Sequence, residues 1–228
     1  MVGTADDRPW TVYERTIPAA TDNYITDRNT GEHYNTFDVS AHKRFAKGDE
    51  VVIGWDRTIR ILGDSTSPDP NTLQFNGPNR ARVSQWDFKL FGTYSLPWRI
   101  SLSGSVSVQK GEARSRTVNF TPALLVNHPA ALAQGSTTVT VDPSGAYYLP
   151  NITQTTLHLE KKFKGPVKGD AITGVIELYN IQNANTIIGE NNATGVTTNS
   201  LGQTVPTFSR YTQTLNPRIV RFGVRYSF

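Results

Sequence analysis

Apolar and polar residues alternate with period two over most of this chain. Phe37, Val39, Ala41 and Phe45 share one parity, against Thr36, Asp38, Ser40, His42 and Arg44. Val51, Ile53 and Trp55 oppose Val52, Asp56, Thr58 and Arg60. Trp86, Phe88, Leu90, Gly92, Tyr94 and Leu96 oppose Gln85, Asp87, Lys89, Thr93 and Ser95. Ile100, Leu102, Gly104, Val106 and Val108 then face away from Arg99, Ser101, Ser103, Ser105, Ser107 and Gln109. Successive side chains of a strand point to opposite sides, so this alternation predicts strands with one dry and one wet face. Weaker alternation predicts strands around Leu157, Leu159 and Phe163, and around Ile172, Ile176 and Leu178. Others are predicted over residues 10–17 and at the end, over residues 221–228. The total is about eight strands of roughly 9–14 residues, longer than soluble strands and suited to tilted strands crossing a bilayer.

The connections have a rhythm of their own. After a first loop at residues 18–32, short links at 46–49, at Pro97 and at 164–170 alternate with long ones at 62–82, 111–150 and 185–215. Outer-membrane barrels segregate loop lengths in this way, with brief periplasmic turns and extended external loops. The long loops are rich in Pro, Gly, Asn, Ser and Thr, which marks solvated backbone. Within them, Thr137–Val141 before Asp142-Pro143-Ser144-Gly145 predicts a hairpin, and residues 122–133 a short helix.

Composition narrows the classes. Hydrophobic residues make up only 37% of 228, and no stretch approaches the roughly 18–20 apolar residues a membrane helix needs. A lipid-facing strand needs only every second residue apolar, so the membrane stays open. Cysteine is absent, which removes disulfides and thiolate metal sites. The net charge of +4 comes without any Lys/Arg run, so the sequence reads as mildly basic with no nucleic-acid partner. The first residues, Met1–Arg8, lack the basic start and apolar stretch of a secretory signal. Export to an outer membrane therefore carries the expectation of a missing front end.

Enzymatic readings find little. His33, His42, His128 and His158 have no metal-ligand spacing, and neither a Gly-x-Ser-x-Gly elbow nor a phosphate-binding glycine loop is present. His158 and Glu160 share the polar parity of their strand and read as a solvated pair. No catalytic residue, metal or cofactor is assigned. Trp10, Tyr94, Trp98 and Tyr226 fall near the short-turn ends, where amphipathic rings favour a membrane interface, whereas Trp55 and Trp86 lie nearer the middle or outer half.

The last eight residues put Phe222, Val224, Tyr226 and Phe228 on one face and Arg221, Gly223, Arg225 and Ser227 on the other. This end, Asn216–Phe228, resembles the C-terminus of Oar-like TonB-dependent receptors. Arg221, Gly223, Tyr226 and Phe228 match the signal read by the barrel assembly machinery. The stretches Pro9–Arg15, Leu149–Ile152 leading to Glu160–Phe163, and Tyr179–Thr186 add to the resemblance. It implies that residues 1–228 form part of one domain, the C-terminal portion of a barrel of about 22 antiparallel strands without plug domain or signal peptide. Such a receptor takes up a ligand across the bacterial outer membrane and meets the TonB system only through the plug.

The expected fold class is therefore all-β, a transmembrane antiparallel barrel. Phe37, Val39, Trp86, Phe88, Leu90, Leu102, Val106, Phe222 and Val224 are expected to face lipid. Arg44, Arg60, Lys89, Arg99 and Arg225 are expected to face the lumen, where they would draw an anionic ligand or pair with acidic plug residues. Two alternatives stay open: a self-contained eight-stranded barrel with a structural or adhesive role, and a soluble β-sandwich binding module. The transported ligand is not legible.

Overall fold

Seven alternating segments, poor in proline and rich in β-branched and aromatic residues, pair into one sheet because each can show a uniform face to its neighbours. They are β1 (His33–Arg44), β2 (Glu50–Ile61), β3 (Arg82–Leu96), β4 (Ile100–Gln109), β5 (Ile152–Lys164), β6 (Ala171–Tyr179) and β7 (Ile219–Ser227). The structure is a computed structural model that describes residues 11–15, 30–65, 69–121, 132–198 and 201–228. The sheet is a meander in sequence order, and every neighbouring pair is antiparallel. Among the described residues it stays open. β1 and β7 each pair on one side only.

The links segregate by length. Residues 45–49, Pro97–Arg99 and residues 165–170 turn the chain at one end of the sheet. Residues 62–81, 110–151 and 180–218 connect it at the other end, where they build a cap of short strands. In the cap, Thr117–Phe120 pairs antiparallel with Thr137–Thr140 and parallel with Ala193–Thr194. Ala113–Arg114 pairs with Tyr147–Tyr148, Ile187–Glu190 with Tyr211–Thr214, and Val196–Thr198 with Thr204–Pro206.

Two expectations are corrected. The main sheet has seven strands rather than about eight, because Thr11–Arg15 is not a strand. That segment is instead held by side chains of two long loops. Asn71 exchanges bonds with the Tyr13 backbone at 2.9 and 3.0 Å, and Gln134 accepts from Arg15 N at 3.1 Å. The rest of the 10–17 prediction, including Trp10, lies outside the described residues. Thr137–Thr140 is a strand but not half of a local hairpin; its partner lies seventeen or more residues upstream, and the Asp142–Gly145 turn leads instead to Tyr147–Tyr148. Residues 122–131 of the predicted helix also lie outside the described residues.

The core is in an unexpected place. Ala81, Leu132, Val139, Val141 and Leu149 are the buried apolar side chains among the described residues, and all belong to the long connections. Asp64 and Arg80 clamp the 62–81 loop through two contacts of 2.8 Å, and the same carboxylate accepts from Gly77 N at 2.7 Å. In the seven-stranded sheet only Thr173 is buried.

Candidate functional site

The register places the alternating residues of all seven strands on two continuous faces. One row runs Val39, Trp55, Phe88, Val108; a second Ala41, Ile53, Leu90, Val106; a third Val51, Gly92, Gly104, Leu157, Leu178, Val220. A fourth joins Tyr94, Leu102, Leu159, Ile176 and Phe222, and Phe37 lies level with Trp86 across Arg57. Phe37, Val39, Trp86, Phe88, Leu90, Leu102, Val106, Phe222 and Val224 thus share one face, which no other part of the described chain covers. Phe222 is 75% and Val224 80% exposed. From Trp86 to Leu96 this face extends about 34 Å along β3. A tilt of about 45° reduces that to about 24 Å of depth, close to the apolar band of an outer-membrane barrel.

The opposite face is polar. Arg44, Glu50, Thr93, Ser103, His158, Glu177 and Arg221 form one row across the sheet, and Lys89 and Arg60 lie further toward the cap on the same face. Side chains on β5, β6 and β7 link into a chain of charges. His158 lies 3.2 Å from Glu177 and 3.1 Å from Glu160, Arg221 contacts Glu177 at 3.3 Å, and Arg225 contacts Glu160 at 2.7 Å. On β1 and β2, Glu50 joins His42 and Arg44 at 3.1 and 3.5 Å. Arg60 pairs with Glu32. The sequence pairing of His158 with Glu160 therefore extends to three partners that only the register reveals.

Asp38, Asp56 and Asp87 stand directly opposite one another on β1, β2 and β3. Like charges so placed repel, and none of the three makes an ion pair among the described residues. Such a row is tolerable where water screens it, which marks this face as wet. Sequence alternation gives each aspartate's face but not their alignment. Among the described residues no group of His, Cys, Asp or Glu is arranged to hold a metal ion.

Arg99 departs from its expected place on the polar face. It belongs to the Pro97–Arg99 turn, where Trp98 and Arg99 both adopt left-handed backbone (φ 61° and 59°). A non-glycine residue there costs on the order of 1 kcal/mol. The turn nevertheless holds Trp98 81% exposed at the tip, beside Tyr94 at the same end of the sheet.

The terminal signature lies on β7. Arg221 and Gly223 point to the polar face, and Tyr226 to the apolar face, its hydroxyl donating to the Asp170 carboxylate in the last short turn. Phe228 lies past the strand, fully exposed, its ring 6.0 Å from that of Tyr226. Because β7 is an edge, its outer row of backbone donors and acceptors is free to receive another strand.

The described chain is thus an all-β protein whose strands pair antiparallel except for Thr117–Phe120 with Ala193–Thr194. No family model, curated protein or solved structure matches it.

Proposed function

We propose that this chain is a stretch of wall in a bacterial outer-membrane β-barrel, the C-terminal part of a TonB-dependent receptor that takes up a ligand. The observation that carries the reading is the apolar face that runs across all seven strands with nothing over it among the described residues. In water, burying such a face is worth roughly 25 cal/mol per Å², so a soluble protein would cover it with a second layer. Lipid covers it without one. The aspartate row and the charge chain on the other face fit a water-filled lumen, and the exposed Trp98 and Tyr94 fit an interfacial girdle at the periplasmic turns.

Strand direction speaks against closure by the seven described strands alone. β1 and β7 both run from the cap toward the short turns, so they cannot pair antiparallel with each other. Closure therefore needs an odd number of further strands, with one running upward against each edge. A second copy of the chain related by a two-fold axis in the membrane plane would put one cap on the wrong side. A larger barrel of about 22 strands meets the parity, as does a single further strand that closes a barrel of eight, and the resemblance of the last strand favours the larger. The open edges would otherwise expose orphaned backbone groups to hydrocarbon at several kcal/mol each.

Within this reading Arg44, Arg60, Lys89 and Arg225 line the lumen, and TonB acts through a plug domain. Arg221, Gly223, Tyr226 and Phe228 present the edge strand to the barrel assembly machinery as an augmenting strand.

The absence of cysteine makes the orientation directly testable. Single cysteines at Phe37, Leu102 and Tyr226 should react with a bilayer-confined reagent, and those at Thr36, Ser103 and Arg225 with a water-soluble one. The reverse pattern sinks the wall. The receptor assignment has a separate test: a plug-encoding sequence in frame ahead of residue 1 supports it, and a stop codon immediately upstream removes it.

A further inference from the structure

The apolar face is not smooth. Gly92 and Gly104 stand directly opposite one another on β3 and β4, and both line a depression of about 660 Å³. Val51, Leu90, Tyr94, Leu102, Val106 and Leu157 line it, so its walls are almost wholly hydrocarbon. Its volume falls in the range of about 300–1,000 Å³ typical of small-ligand sites. Close packing does not require a glycine at position 92. A Cβ there would meet its nearest neighbours, Glu50 O and Val51 Cγ2, at 3.6 and 3.7 Å, ordinary contact distances. The space is open.

A cation stands beside the depression. Lys43 lies on the same face, directly opposite Val51, which in turn is opposite Gly92. Two strand spacings of about 4.8 Å therefore separate it from Gly92 and three from Gly104, which puts it at the rim of the depression. Lys43 is exposed, makes no ion pair among the described residues, and has its ammonium 6.0 Å from the Phe45 ring, itself part of the lining. The arrangement recurs on β5, where Lys161 faces the same way with its ammonium 5.4 Å from the Phe163 ring. Both Lys-x-Phe pairs lie at the short-turn ends of their strands. An ammonium on an oily face, next to an aromatic ring and at interface depth, meets the phosphate of a lipid headgroup.

We propose that this depression is a binding site for one anionic glycerophospholipid of the periplasm-facing leaflet, its acyl chain lying over Gly92 and Gly104 and its phosphate against Lys43. The site rests on the wall reading above. Its position at the short-turn end selects the inner leaflet over the lipopolysaccharide of the outer one.

The chain, taken from outer membranes with whatever strands complete its barrel and reconstituted in phosphatidylcholine vesicles, would be probed with tail-nitroxide phosphatidylglycerol, and the motionally restricted component measured. The expected preference for phosphatidylglycerol over phosphatidylcholine is about fivefold for one cation near the phosphate. Lys43→Gln should remove the preference and keep the restricted component, Gly92→Leu should set a side chain in the path of the acyl chain and remove that component, and Ser107→Ala on the other face should change neither. A restricted component that survives Gly92→Leu, or a preference that survives Lys43→Gln, overturns the site. So does tighter retention of lipopolysaccharide than of phosphatidylglycerol by chain taken from outer membranes. Cysteine labelling of such vesicles that finds position 102 in water and position 103 in lipid overturns the wall reading and the site together, whereas a chain with the expected orientation that shows no preference overturns the site alone.

Discussion

The cap and the sheet of this molecule differ in what they bury. The cap behaves as a small soluble protein does: Val139 is fully buried, Val141, Leu132 and Leu149 nearly so, and the buried Asp64 carboxylate is met by Arg80 and Gly77. The neighbouring sheet has the longer, more regular strands and most of the exposed large apolar side chains, yet buries only Thr173. Loop segments with poor alternation have found a core, and strands with clean alternation have not. Within one chain the contrast teaches that strand regularity reports the need to satisfy the backbone and to sort side chains by face. Burial reports something else, namely whether the chain itself supplies the covering layer.

The hardest test of that contrast is a charge on the uncovered face. Leu90→Arg should cost about 2–4 kcal/mol of membrane stability if the face meets hydrocarbon at mid-depth. It would be read by urea titration of vesicle-bound chain, and a change near zero would mean the face is wet. In the cap, Val139→Ala should cost about 2 kcal/mol through the cavity it leaves, seen as faster hydrogen exchange in Thr117–Phe120 and Thr137–Thr140. Exchange in β3 and β4 should stay unchanged; if it rises equally, cap and sheet are one cooperative unit.

A smaller effect separates a wet polar face from a dry one. Arg225 is largely exposed beside Glu160, so Arg225→Gln should cost less than about 1 kcal/mol. A loss of several kcal/mol, the signature of a carboxylate stranded in a dry interior, would remove the lumen. The smallest expected effect is on pH. Burial, and then the neighbouring Glu190 carboxylate, raises the Tyr147 phenol above its ordinary 10.0. The neutral phenol is favoured in the fold, so its contribution is fully present below pH 10 and fades as pH rises through the raised value. Alkaline loosening of the cap by limited proteolysis should be blunted in Tyr147→Phe; identical curves would place the titration elsewhere.

Much of the sheet was legible because a strand's two faces are a local property. The parity of Phe88 and Lys89, or of Leu102 and Ser103, follows from the backbone alone, as does the grouping of long and short links. Arg99 was misplaced because a turn residue inherits no parity. Thr11–Arg15 was misread because its apolar alternation is brief, and its bonds to Asn71 and Gln134 depend on residues some 60 and 120 positions away. The charge chain through His158, Glu160, Glu177, Arg221 and Arg225 was visible only as scattered polar residues until register aligned them.

The sequence by itself determined that this chain makes amphipathic antiparallel strands, where they turn, and which side chains share a face. These follow from the two-residue period of extended backbone and from which residues tolerate a turn. Only the tertiary structure decided the alignment of Asp38 with Asp56 and Asp87, the pairing of Gly92 with Gly104, the parallel sense of β1 and β7, and the placing of the core in the loops. Each of those depends on register and on long-range pairing, which no local pattern encodes.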